Sequence, residues 1–126
     1  MLERLRKIRH VALDLDGTIY TDKTLFPATL PFLNLLKTLN LSYTFLTNNP
    51  SRSVAEYLAF LHSMGIQATA SQLYTSVQAT IDYLKKNFPQ LRRLFVLGTS
   101  GLCDELQAAG FELTPESPDA PPDAVL

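Results

Sequence analysis

Residues 8–18 read Ile8-Arg9-His10-Val11-Ala12-Leu13-Asp14-Leu15-Asp16-Gly17-Thr18, and the fold follows from them. The aliphatic, β-branched run from Ile8 to Leu15 has the length of a strand and ends abruptly at Asp16-Gly17. The carboxyl end of such a strand is where open α/β sheets place their ligands. Side chains two apart on a strand point to the same side, so Asp14 and Asp16 are expected to converge on one site. Two neighbouring carboxylates repel, which is tolerable when a hard cation such as Mg²⁺ neutralises them or when one holds a proton. Gly17 permits the backbone to leave the strand sharply.

Outward from this strand, Ile19-Tyr20 and the polar Thr21-Asp22-Lys23 read as the tip of a short hairpin or loop. Phe32, Leu35, Leu36 and Leu39 recur at spacings of three and four, predicting a helix over 29–39 with those residues as its apolar face and Pro31 in its first turn. Residues 41–46 alternate into a second strand that ends at Thr47-Asn48-Asn49-Pro50. Ser53 and Glu56 have the spacing of a capping box, ahead of a helix with Val54, Leu58 and Leu61 on one face and Gly65 at its close. A further helix is expected from a cap at Ser76 through Val77, Ile81 and Leu84 to about Lys86. Residues 94–97 predict a buried strand, 102–109 a helix ended by Gly110, and 111–113 another strand. Strands alternating with helices imply parallel pairing with crossover helices, hence a layered α/β fold. Beyond Thr114, Pro115, Pro118, Pro121 and Pro122 favour an extended linker, after which Ala124-Val125-Leu126 reads as the opening of one more strand. A strand stopping at its third residue predicts a truncated product with open sheet edges and a tendency to self-associate.

Of the 126 residues, 46% are hydrophobic and 18% charged, a globular composition sufficient for one domain with a real core. Lys and Arg number 11 against 12 acidic residues, so a net charge of -1 offers a polyanion no long-range attraction. Nucleic acid and anionic membrane are therefore not expected as partners, and any anion must be held locally. The single Cys103 closes no intramolecular disulfide and reads as a small apolar helix residue, which makes a cytoplasmic setting the expectation. The basic lead-in Arg4, Arg6, Lys7, Arg9 resembles a secretory signal only superficially, because Asp14 and Asp16 interrupt the apolar stretch behind it. No run of about 20 apolar residues occurs, so the expectation is a soluble protein.

The paired aspartates suit phosphoryl transfer. Asp14 can attack phosphorus and form an aspartyl-phosphate, while Asp16 protonates the leaving oxygen and later takes a proton from the attacking water. Thirty-three residues separate Asp14 from Thr47, about one βαβ unit with a small insertion, which brings both strand ends to the same edge. A Thr47 hydroxyl and an Asn48 amide are neutral donors able to hold phosphoryl oxygens without cancelling a metal's pull on them. Gly98-Thr99-Ser100-Gly101 lacks the lysine and spacing of a phosphate loop and reads as a tight strand-to-helix turn. His10 and His62 have no metal-ligand partner at helical or hairpin spacing and read as structural. The basic cluster before the first strand reads as a solvated face, and Arg52 as a surface residue.

Asp14-Leu15-Asp16-Gly17-Thr18 followed by Phe45-Leu46-Thr47-Asn48-Asn49 resembles the first two motifs of the haloacid dehalogenase superfamily, in particular its NagD-like phosphatases, and Tyr74-Thr75-Ser76 and residues 97–111 are similar to that subfamily too. The resemblance implies a Rossmann-like, three-layer core with a parallel sheet and a large α/β cap, its first core half over residues 1–87 and the beginning of the cap over 88–126. It implies a Mg²⁺-dependent phosphatase acting on a small phosphorylated metabolite. Asp14 would be nucleophile and metal ligand, Asp16 general acid/base and metal ligand through its carbonyl, and Thr47 with Asn48 the phosphate binders. It also demands a third-motif lysine and a fourth-motif acidic group after the cap, and no lysine follows Lys86 in these 126 residues. The chain on its own is therefore expected to be nearly or wholly inactive, since loss of one such electrostatic contact costs on the order of a hundredfold or more in rate. A homo-oligomer, a non-catalytic anion-binding or assembly fragment, and a receiver-like phospho-acceptor are the other readings the sequence leaves open; the last lacks its aspartate after a later strand.

Overall fold

The computed structural model describes residues 6–117, 119 and 121–126. Arg4 of the basic lead-in and Pro118 of the proline-rich stretch lie outside the described residues. In chain order the elements are β1 (His10–Asp14), β2 (Tyr20–Thr21), β3 (Thr24–Leu25), α1 (Thr29–Thr38), β4 (Ser42–Thr47), α2 (Val54–Ser63), β5 (Leu73–Thr75), α3 (Ser76–Asn87), β6 (Arg93–Phe95), α4 (Ser100–Ala108), β7 (Glu112–Leu113) and β8 (Ala124–Val125). The chain packs as two compact units, one holding residues up to Thr47 with Tyr57–Tyr74, the other Asn48–Glu56 with Thr75–Leu126. These are units of packing, whereas the division expected after residue 87 is one of function.

In the first unit the sheet runs β1-β4-β5, with β1 at an edge. β1 and β4 are parallel, His10 facing Ser42 and so on to Asp14 facing Leu46. Alternation puts Leu13, Tyr43 and Phe45 on a buried face, where Tyr43 and Phe45 meet edge to face at 5.3 Å. Asp22 turns the β2–β3 hairpin with φ 52°, as the polar tip predicted. Helix α1 forms where expected, but Thr29, Leu33 and Leu36 are its buried residues, whereas Phe32, Leu35 and Leu39 are 39%, 51% and 57% exposed. The helix is apolar on more than one side, and spacing alone does not say which side is covered. The choice of face puts Thr29 inward, where its hydroxyl donates to the Ile19 carbonyl at 2.7 Å.

In the second unit β7 and β8 both run parallel to the central β6. Leu91, Leu94, Leu106 and Phe111 form its core, with Ile81 and Leu84 of α3 and Leu102 of α4 packed on them. Residues 124–125 do form a strand, and its start is pinned by Asp123, whose carboxylate accepts the Arg92 and Arg93 amides at 3.0 and 2.8 Å. Those amides, and then the two guanidinium charges, hold the Asp123 carboxyl below its ordinary range. The cap of α3 is Thr75 rather than Ser76: Thr75 Oγ1 accepts from the Gln78 amide and Gln78 reaches back to the Thr75 amide. Either hydroxyl could serve by type; Thr75 wins because Gln78 stands three residues after it.

Candidate active site

The backbone after β1 is tied to itself. The Leu15 carbonyl receives the amides of Thr18, Ile19 and Tyr20 at 3.2, 2.9 and 3.3 Å, while the Gly17 amide donates to the Tyr20 carbonyl at 2.8 Å. Gly17 makes this turn at φ 81°, in open surroundings, so its conformation and not its size requires glycine. Leu15 is completely buried between the two exposed aspartates, which anchors them while leaving both carboxylates facing solvent. The Thr18 hydroxyl lies 3.5 Å from Asp14 Oδ2 and donates to it. Thr18 closes the motif that begins at Asp14, and spacing alone assigns its hydroxyl no partner.

Asp14 ends β1 directly opposite Leu46, so the carboxyl ends of β1 and β4 lie side by side and Thr47 is the next residue along. Thr47 falls on the buried side of β4 with Tyr43 and Phe45, its hydroxyl 3.3 Å from that of Tyr57 on α2. Nothing in the sequence pattern marked Tyr57 as a neighbour of Thr47. Asn48, joined to Thr47 by one peptide bond, is exposed, and its carbonyl accepts from the Ser76 hydroxyl at 3.3 Å. Asn49 Oδ1 accepts the Ser51 amide at 3.0 Å, the side-chain turn expected of an Asx residue.

Ser53 and Glu56 form the predicted capping box: Glu56 Oε2 accepts from the Ser53 amide and hydroxyl at 2.7 and 2.9 Å, and the Glu56 amide donates back to Ser53 Oγ at 3.3 Å. These bonds, against a small opposing effect of burial and with help from the Arg52 charge, hold the Glu56 carboxyl below its ordinary range.

His10, His62 and Thr99 have local hydrogen-bond partners. Ser42 Oγ donates to the Arg9 carbonyl, so His10 Nδ1 is its donor partner at 2.8 Å; His62 Nε2 meets the Ala68 carbonyl at 2.8 Å. Thr99 caps α4 through the Leu102 amide, which makes residues 98–101 a strand-to-helix turn. Among the described residues, cavities of about 340, 470 and 390 Å³ are walled by residues other than Asp14, Asp16, Thr47 and Asn48, among them Lys85 and Phe111, His10 and Lys37, and Phe95 and Val125. Among the described residues no three His, Cys, Asp or Glu side chains gather as a metal cage. Asp14 and Asp16 supply hard oxygen donors with solvent beside them, a donor set that fits Mg²⁺, which binds through one or two carboxylates and keeps several waters. No helix among the described residues is long and apolar enough to cross a membrane.

Residues 11–112 match the family model of haloacid dehalogenase-like hydrolases. The ribonucleotide monophosphatase NagD of Escherichia coli is 31% identical over 112 residues, covering 89% of this chain and 44% of its own. The crystal structure of a 4-nitrophenylphosphatase from Thermotoga maritima superposes with a TM-score of 0.82 at 37% identity, covering 91% of this chain and 44% of that one. A glycerol phosphate phosphatase from Mycobacterium tuberculosis, solved in complex with magnesium, has a TM-score of 0.82 at 28% identity, over 95% of this chain and 36% of its own. The chain spans less than half the length of these relatives. It belongs to the haloacid dehalogenase-like hydrolases, its similarity lies with NagD-like phosphatases, and its parallel α/β architecture is theirs.

Proposed function

We propose, with family membership as the premise, that the whole protein is a Mg²⁺-dependent phosphoric monoester hydrolase of the cytoplasm, acting on a small phosphorylated metabolite through an aspartyl-phosphate. The observation that supports it most is Asp14 at the exposed end of β1, beside the end of β4. In this reading an Asp14 oxygen bonds to phosphorus as the bond to the leaving oxygen breaks, and Asp16 gives that oxygen its proton. Asp16 then takes a proton from water, whose oxygen attacks phosphorus and releases Asp14. The Thr18 hydroxyl, donating to Asp14 Oδ2, orients the nucleophile. Thr47 and Asn48 donate to the phosphoryl oxygens, where charge develops. Asp14 and the Asp16 carbonyl would hold Mg²⁺, which when bound neutralises the anionic phosphoryl group and lets a carboxylate approach it.

The functional division falls near residue 87, at the end of α3, with the cap beginning after it. The 126 residues alone lack the lysine and the later acidic group that such chemistry needs, and are proposed to turn over nothing by themselves. The test is phosphate release from a panel of small phosphate esters by the whole protein, with and without Mg²⁺. Metal-dependent release that disappears in Asp14→Asn, with a phosphoryl group trapped on Asp14 in the parent, is the expected result. Turnover retained by Asp14→Asn overturns the reading.

A further inference from the structure

The start of α2 poses a hydrogen-bonding problem that its own sequence solves only in part. The first amides of a helix have no partner within it. The capping box accounts for the amides of Ser53 and Glu56. The amide of Val54, the first residue of the helix, is instead accepted by Glu105 Oε1, from a side chain 51 positions away on α4. Glu105 is half-buried, and a carboxylate aimed at a helix amino terminus is favoured by both the free amide and the helix dipole. The amino end of α4 touches the segment before α2 twice more. The Thr99 hydroxyl lies 3.5 Å from the Pro50 carbonyl. A Cβ at Gly101 would stand 3.2 Å from both the Ser53 amide nitrogen and Glu56 Oε2, so α4 approaches closely enough that a side chain there would crowd both. Residues 48–56 accordingly pack with this unit and not with the strand they follow.

We propose that Glu105 is a positioning residue for the phosphate loop: by holding the Val54 amide while Gly101 clears space for Ser53, it sets the placement of residues 48–53 and so of Asn48. The proposal rests on the reading of Asn48 as a phosphate binder. The loop after β4 is thus set by a helix that lies beyond residue 87, in the segment assigned to the cap. Glu105 touches no substrate in this scheme and acts through the backbone.

The test uses the whole protein in solution, with amide hydrogen exchange and the Asn48 amide resonance as readouts and inorganic phosphate with Mg²⁺ as probe. In Glu105→Ala, exchange at Val54 should accelerate about tenfold while amides in β1 keep their protection, and the phosphate-induced shift at Asn48 should need several-fold more phosphate. Glu105→Gln keeps an acceptor oxygen and should restore most of the protection and the affinity, which a residue needed only for its charge would not do. Should Glu105→Ala unfold, Gly101→Ala perturbs the same contact from the other side and should accelerate exchange at Ser53. Unchanged exchange at Val54 and unchanged phosphate response in folded Glu105→Ala overturn the positioning role. If phosphate leaves Asn48 unmoved in the whole parent protein while Glu105→Ala still exposes Val54, the contact stands and the phosphate-loop reading falls.

Discussion

The two strand ends of this protein are held in opposite ways. After β1, the turn carrying Asp14 and Asp16 is tied by its own backbone: one carbonyl, that of Leu15, gathers three amides within five residues. After β4, the segment carrying Asn48 leans on Ser76, Thr99 and Glu105, which follow it by up to 51 positions. Two glycines show the same contrast. Gly17 sits in open space at φ 81° and is required by its dihedral angle, whereas Gly101 matters for space, since a Cβ there would crowd Ser53 and Glu56. A local turn keeps its shape wherever its few residues are intact. A segment braced from afar takes its shape from the packing around it, and can be moved by changes far away in the sequence.

Each of four further measurements presses on this contrast. The largest effect is expected from Asp14→Asn in the whole protein, which should lower phosphate release on the order of a thousandfold or more while leaving circular dichroism unchanged, since the turn does not depend on that carboxylate. Leu15→Ala removes the buried anchor between the aspartates and should cost about 2–5 kcal/mol in urea denaturation. Gly17→Ala should cost about 1–2 kcal/mol by the same measurement, from the left-handed backbone alone, with no change in exchange at Val54. A destabilisation that instead spread to the residues 48–53 would break the distinction between the two strand ends.

Acid should separate the regions more gently. Glu56 braces the start of α2 and Asp123 the start of β8, and both carboxyls are held below their ordinary values of 4.5 and 3.8. A carboxyl with a lowered folded value binds its proton more tightly in the unfolded chain, so its contribution is complete above the ordinary value and is lost as pH falls through the folded one. Protection of the Ser53 amide should therefore fall as pH drops below about 4.5, and that of the Arg93 amide only below about 3.8. Glu56→Gln should remove the acid sensitivity at Ser53 and leave that at Arg93 in place.

Much of this was legible in the order of residues. The run from Ile8 to Leu15 closed by Asp16-Gly17, the hairpin at Asp22, the box of Ser53 and Glu56, the close of α4 at Gly110 and the strand at Ala124 all formed as read. Each is written within a few residues, where a dihedral preference or one hydrogen bond decides the outcome. The covered side of α1 was misread because Phe32, Leu35 and Leu39 are as apolar as Leu33 and Leu36. The cap of α3 was misplaced by one residue, since Ser76 and Thr75 are both able to cap and Ser76 turns instead to the Asn48 carbonyl. Strand β5 has only three residues, too few for a period to show.

By itself, then, the sequence determined the family, the alternation of strands and helices, and the turns that end them. Only the tertiary structure decided that Tyr57 lies against Thr47, that Thr18 faces Asp14, and that Glu105 completes the start of α2. The physical reason is range. Backbone dihedrals and caps act over three or four residues and leave a pattern there, whereas the partner of an unsatisfied amide or a buried hydroxyl is whichever polar group the chain's path brings within about 3 Å, and no spacing records it.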